Sequence, residues 1–225
     1  MMTFENNLQI GQGIYTIKEM AHILRQPYHT VRHWVNTYWD GKLGEAYGAS
    51  YSWRTDGSQA VSFHTLVEFY LLMLLGEAGV PPRRVLLAHQ ELRQWQDTPF
   101  PFASRTVLNS LRTDGKQIYF ELPGGDIIAL DGSRQLNMDF VRIFFQKLDF
   151  DQQELASSFW PLGKDKTVVI DPERKFGHPL VADHNIYPET LFQHHLAGDP
   201  IPYIAHVYQL SEQQVADALE FCQAA

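Results

Sequence analysis

The chain has 225 residues, 44% of them hydrophobic, a formal net charge of −8 and one cysteine, Cys222. That apolar content suffices for a buried core in one large or two to three small domains, and a lone cysteine excludes an intrachain disulfide framework. Met1–Asn6 lacks a basic-then-apolar leader and the longest apolar run, Phe69 to Leu75, is too short to span a bilayer, so a cytoplasmic protein without a membrane partner is expected.

The acidic excess argues at first against nucleic acid, but its position matters. Residues 1–95 hold eight basic and eight acidic side chains, which leaves 10 of the 18 basic and 18 of the 26 acidic residues beyond residue 95. The whole excess of −8 therefore lies in the later part of the chain.

Thr16 to Leu24 places Ile17, Met20, Ala21 and Leu24 on one helical face, with Thr16 as N-cap. Arg25-Gln26-Pro27-Tyr28 breaks the pattern, and His29 to Tyr38 resumes it with Val31, Trp34, Val35 and Tyr38 facing inward. The second helix then turns His29, Thr30, Arg32, His33 and Asn36 outward, a set of side chains suited to base edges and phosphates. The alternative is a plain αα-hairpin. Tyr51 to Ser58 reads as a hairpin on which Arg54 can reach a DNA backbone, and a long apolar helix follows from His64.

Ile14 to Ala21 together with Thr30-Val31-Arg32-His33-Trp34 resembles the MerR-like winged helix-turn-helix family, and Phe63 to Val85 looks like that family's following helices, to about Leu92. The family usually carries glycine and serine in the inter-helix turn, where this sequence has Arg25 and Pro27. His29 and His33 have i, i+4 metal-ligand spacing, but without an HExxH pattern or third ligand no metal is expected.

Gln96 to Phe102, with Pro99 and Pro101, ends the helical periodicity and marks an expected boundary. Ile118-Tyr119-Phe120 and Ile127 to Leu130 read as strands joined through Pro123-Gly124-Gly125-Asp126, with Asp131-Gly132 as a further turn. Phe140, Val141, Phe144, Phe145 and Leu148 recur at helical spacing. Lys166 to Ile170 reads as a strand, followed by helices around Pro188–Ala197, Ile201–Tyr208 and Ser211–Phe221, the last opened by a capping box at Ser211-Glu212-Gln213-Gln214. Pro188 opens its helix where a missing N–H costs little, and Gly198 closes it with a left-handed backbone.

Asp171-Pro172, Gly177-His178-Pro179, Tyr187-Pro188-Glu189 and Ala197-Gly198-Asp199, within Thr167 to Phe221, resemble the small antitoxin domain family whose genes adjoin PIN-like ribonuclease toxins. The order of modules resembles the longer VapB-type antitoxins. The expected fold is mainly α: a winged helix-turn-helix domain over 1–95, an α+β middle segment over 103–160, and a three-helix, helix-turn-helix-like module over 164–225. The resemblance implies a homodimer that binds operator DNA and neutralises a PIN-like ribonuclease, by occlusion or by delivering a cation to its carboxylates from Lys164, Lys166, Arg174 or Lys175. No catalytic residue and no cofactor are expected. His178, Asp183-His184, Glu189 and His194-His195 supply polar groups, but adjacent helical histidines diverge by about 100° and do not share an ion.

Two other function classes remain. A MerR-like regulator would sense a small ligand through the aromatic residues of the middle segment, and a scaffold would use both modules for protein contacts alone. A neighbouring reading frame for a PIN-like nuclease favours the antitoxin.

Overall fold

Residues 11–48, 50–55, 57–113, 118–122, 124–130 and 139–223 are described by the computed structural model, and over them the chain is mainly helical with small antiparallel sheets. Strand β1 (Tyr15–Thr16) runs straight into α1 (Ile17–Leu24), where Thr16 forms the expected cap. The cap is a full box: Thr16 Oγ1 accepts the Glu19 N–H at 3.2 Å, and Glu19 Oε2 accepts the Thr16 N–H at 2.7 Å.

Arg25 ends α1 in the left-handed region, at φ 54° and ψ 43°. The Gln26 N–H reaches Ala21 O at 2.9 Å and the Arg25 N–H reaches His22 O at 3.2 Å, the paired bonds of a Schellman turn. Arginine thus stands at a site where glycine would meet less steric cost.

Helix α2 (Tyr28–Trp34) does not stop near Tyr38. It continues in wide, π-type turns over Val35–Gly44 into the short α3 (Glu45–Tyr47). Wider turns hold more residues, so a four-residue repeat stays on one face. The fully buried stripe is accordingly Val31, Val35, Trp39 and Leu43, whereas Trp34 and Tyr38, expected inward, are half-buried.

The hairpin strands are β2 (Ser52–Thr55) and β3 (Ser58–Val61), with Arg54 opposite Gln59 and β1 added on the far side of β3. Ser62 caps α4 (Phe63–Glu77), which buries residues on every side and is the central helix. After the Gly79 turn, Pro82 at the first position opens α5 (Pro82–Gln96).

The expected boundary at 96–102 is a change of secondary structure but not a break in the core. A 3-10 turn (Pro101–Ala103) leads through α6 (Arg105–Asn109) to a three-stranded sheet of β4 (Leu111–Thr113), β5 (Ile118–Glu121) and β6 (Ile127–Leu130). Phe102 is fully buried, and its ring lies 5.1 Å from that of His89 and 6.1 Å from that of Phe120. One apolar cluster therefore joins Tyr15, Phe69 and Leu92 to Phe120, Phe144 and Phe159.

Helix α7 (Asp139–Gln146) ends before Leu148, which instead opens β7 (Leu148–Phe150), paired with β8 (Ala156–Phe159). Pro123, Asp131 and Gly132 of the expected turns lie outside the described residues, as do the side chains of Phe140 and Val141.

The last module pairs β9 (Val168–Val169) with β10 (Leu180–Val181) and stacks α8 (Pro188–Leu196), α9 (Ile201–Tyr208) and α10 (Glu212–Gln223) over its own cluster of Val181, Leu191, Ile204, Val215 and Ala218. Gly198 takes the expected positive φ, and the Ser211–Gln214 box closes at 3.1 Å and 2.9 Å. The module joins the rest through Ile14 N–H to Phe176 O at 2.9 Å and by Phe221, which packs in the larger cluster. No helix of the described residues is long and apolar enough to cross a membrane.

Candidate nucleic-acid interface

The start of α1, the second helix and the β2–β3 hairpin frame a groove of about 460 Å³. Its lining includes Lys18 from α1, Tyr28, Arg32 and Asn36 from the second helix and its extension, and Arg54 and Gln59 from the hairpin. Arg32, Asn36 and Arg54 were all expected on this face. His29 and His33 are exposed and Thr30 half-exposed on the same helix, but none of the three lines the groove. His33 Nδ1 lies 3.4 Å from the Thr37 hydroxyl and its ring stands edge-on to Tyr38 at 6.2 Å, so it is tied to its own helix.

What holds hairpin and helix together is Asp40, which the sequence reading did not single out. Asp40 Oδ1 accepts the N–H groups of Tyr51 and Ser52 at 2.8 Å and 2.9 Å. Its other oxygen accepts the Ser52 hydroxyl and the Gln59 amide, the latter at 3.1 Å. Gln59 also donates to Asn36 Oδ1 at 2.9 Å. The acid thus spends its lone pairs on the base of the hairpin, and the cations Lys18, Arg32 and Arg54 face the groove. Lys18 was missed because a single lysine in an amphipathic first helix has no distinguishing spacing. Asp40 and Gln59 were missed because their partners lie 7 to 23 residues away, on other elements or across a hairpin.

Of the four cations expected to face a toxin, three have partners within the chain. Lys164 Nζ meets Asp149 Oδ1 at 2.5 Å, and Lys166 Nζ bridges Asp217 at 3.2 Å and Glu220 at 2.7 Å. Asp217 is itself fully buried and also accepts the Thr167 N–H and hydroxyl, both at 3.0 Å, so Lys166 helps dock β9 on α10. Arg174 is held by the His184 carbonyl and by Asn185 Oδ1. Lys175 is exposed, and its side chain makes no ion pair or hydrogen bond to the described residues.

Of the aromatic residues of the middle segment, invoked for ligand sensing, Phe120, Phe144 and Phe159 are buried in packing, whereas Tyr119, Phe145, Phe150 and Trp160 are half-buried. His194, Asp199 and Tyr208 do converge: His194 Nδ1 lies 2.7 Å from Asp199 Oδ2, and Nε2 lies 2.9 Å from Tyr208 Oη. The triplet spans the α8–α9 turn, fastening it, with Asp199 donating its own N–H to His194 O. Among the described residues no group of three or more His, Cys, Asp or Glu side chains is arranged to hold a metal ion.

Comparison with known proteins places residues 168–222 in a match to the family described as "Protein of unknown function (DUF433)". Over 235 aligned residues the chain is 23% identical to the Mycobacterium tuberculosis protein named "Putative antitoxin VapB45", covering 96% of each chain. The crystal structure of Rv2018 from Mycobacterium tuberculosis superposes with a TM-score of 0.65 at 21% identity, covering 94% of this chain and 99% of that one, which establishes a shared fold.

Proposed function

We propose that the chain is the antitoxin of a toxin–antitoxin pair, binding operator DNA through the α1–α2–hairpin face and holding a PIN-like ribonuclease through its later, acidic part. End-to-end similarity to a protein named as an antitoxin supports the first half of this reading. The observation that carries the DNA half is the groove, which sets Arg32, Asn36 and Arg54 from two separate elements around one concavity with Lys18. In this reading α1 and α2 are the two helices of a winged helix-turn-helix and β2–β3 its wing, and two copies bind the two halves of a pseudo-palindromic operator.

The residues past 95 carry the −8 excess, which steers a basic RNA-binding surface toward them. Leu196 at the end of α8, and Tyr203 and Val207 one turn apart on α9, are exposed apolar side chains that a partner can cover. With three of the four candidate cations held internally, neutralisation by occlusion fits better than delivery of a cation into the nuclease site. The test is co-expression with the product of the adjacent reading frame: a co-purifying nuclease whose activity is suppressed supports the antitoxin. Its absence, with retained binding to the DNA upstream of the gene, favours a regulator without a toxin.

A further inference from the structure

Asp40, Ser52 and Gln59 together fix the direction of one amide in the groove. An ionised carboxylate only accepts, and Asp40 takes the Tyr51 and Ser52 N–H groups and the Ser52 hydroxyl proton. Ser52 Oγ, having given up its only proton, faces Gln59 as an acceptor. Gln59 must then turn its nitrogen inward, where it lies 2.8 Å from Ser52 Oγ and 3.1 Å from Asp40 Oδ2. Its carbonyl oxygen in that place would confront two lone-pair-bearing oxygens.

The same Gln59 nitrogen lies 2.9 Å from the side-chain oxygen of Asn36. Reversing Asn36 would set two NH2 donors against each other. Polarity is thus handed from Asp40 through Gln59 to Asn36, whose oxygen is turned to Gln59 and whose NH2 group, with both protons free, is left for the groove.

Resting on the DNA-binding reading above, we propose that Asn36 is a base reader preset to present its NH2 group, and that it favours guanine at the step it faces. Bidentate pairing of asparagine with adenine needs its oxygen to accept from N6 while its nitrogen donates to N7. Gln59 holds one of that oxygen's two lone pairs, so adenine N6 has to compete for an acceptor already engaged and fixed in direction. Guanine offers two adjacent acceptors, N7 and O6, to the amide NH2. Lys18, Arg32 and Arg54 add only donors to the same groove.

The experiment is selection of bound sequences from a randomised duplex library by the full-length protein, comparing the wild type with Asn36→Ala and Gln59→Leu. The wild type is expected to enrich guanine over adenine about tenfold at one position. Asn36→Ala, an exposed change, should flatten that position alone. Gln59→Leu, which removes the donor that holds the Asn36 amide in one direction, should narrow the guanine-over-adenine preference. If Gln59→Leu unfolds in a thermal melt, the alanine variant decides. Adenine enriched by the wild type at the Asn36-sensitive position, or no position sensitive to Asn36→Ala, overturns the inference while the operator reading stands. A full-length protein that retains no duplex above background overturns both.

Discussion

The Glu68 carboxylate and the His89 imidazole meet at 2.9 Å, and neither side chain reaches solvent. Glu68 Oε1 also accepts the Phe102 N–H at 3.1 Å, so one carboxylate on α4 fastens both α5 and the turn that follows it. Removing the imidazole leaves a buried carboxylate short of a donor, which costs about 3 to 5 kcal/mol where the acid stays charged. His89→Ala should therefore lower the urea midpoint steeply, and Glu68→Gln, which keeps an acceptor for the Phe102 N–H, should cost less. Equal, small losses in both variants would show that the pair is not a structural joint.

Arg32 and Arg54 reach the groove from different elements, so their contributions to duplex binding should be separable. Alanine at either is expected to weaken operator binding by about 1 to 3 kcal/mol if the contact is to a base edge, and to reduce the salt slope by roughly one if it is to phosphate. Fluorescence anisotropy across a salt series distinguishes the two. Unchanged affinity in both variants removes the proposed face.

Local signals made part of this legible in advance. The Thr16 and Ser211 caps, the hairpin around Arg54 and the proline and glycine ends of the last helices depend on residues within a few positions of each other, and all appear as expected. Contacts at long range were not readable. The Asp40–Gln59–Asn36 chain joins a helix to a strand, and Glu68 finds His89 21 residues on. The π-type continuation of α2 changed the buried period from a mixed 3 and 4 to a uniform 4, which exchanged Trp34 and Tyr38 for Trp39 and Leu43 in the core. The prolines near 99–101 altered the local structure as expected. Periodicity carries no information on whether Phe102 and Phe120 share a core with Leu92, and they do.

His64 sits at the start of α4, stacked on Phe100 at 5.2 Å, with its Nε2 3.0 Å from Ala156 O. Burial holds its pKa below the 6.5 of a free histidine, outweighing the opposing pull of the Ala156 carbonyl, Glu68 and Asp151. With the folded value depressed, the unfolded chain binds the extra proton between the two values. The stability is thus fully present above about 6.5, falls as pH drops below it, and the loss is complete once pH passes under the folded value. Chemical denaturation from pH 7.5 downward should show this acid limb flattened in His64→Gln. An identical limb in both proteins would assign it to other groups.

Tyr203 and Val207 lie one helical turn apart on α9, 52% and 46% exposed, with Leu196 at 64% where α8 ends. Aromatic side chains that stay in solvent on an ordered helix supply large contact area at small entropic cost, which is why they dominate interfaces when a partner covers them. None of the three lines the Arg32–Arg54 groove, so the two activities should be separable. Tyr203→Ala combined with Val207→Asp should reduce retention of the co-expressed nuclease at least about tenfold, in the range of a truncated interface anchor. Operator affinity and the urea midpoint should stay within the small range usual for surface substitutions. Retention equal to wild type would place the partner elsewhere on the later part of the chain, and Lys175→Glu, an exposed cation whose side chain has no partner among the described residues, would then be the next substitution to assay by the same pull-down.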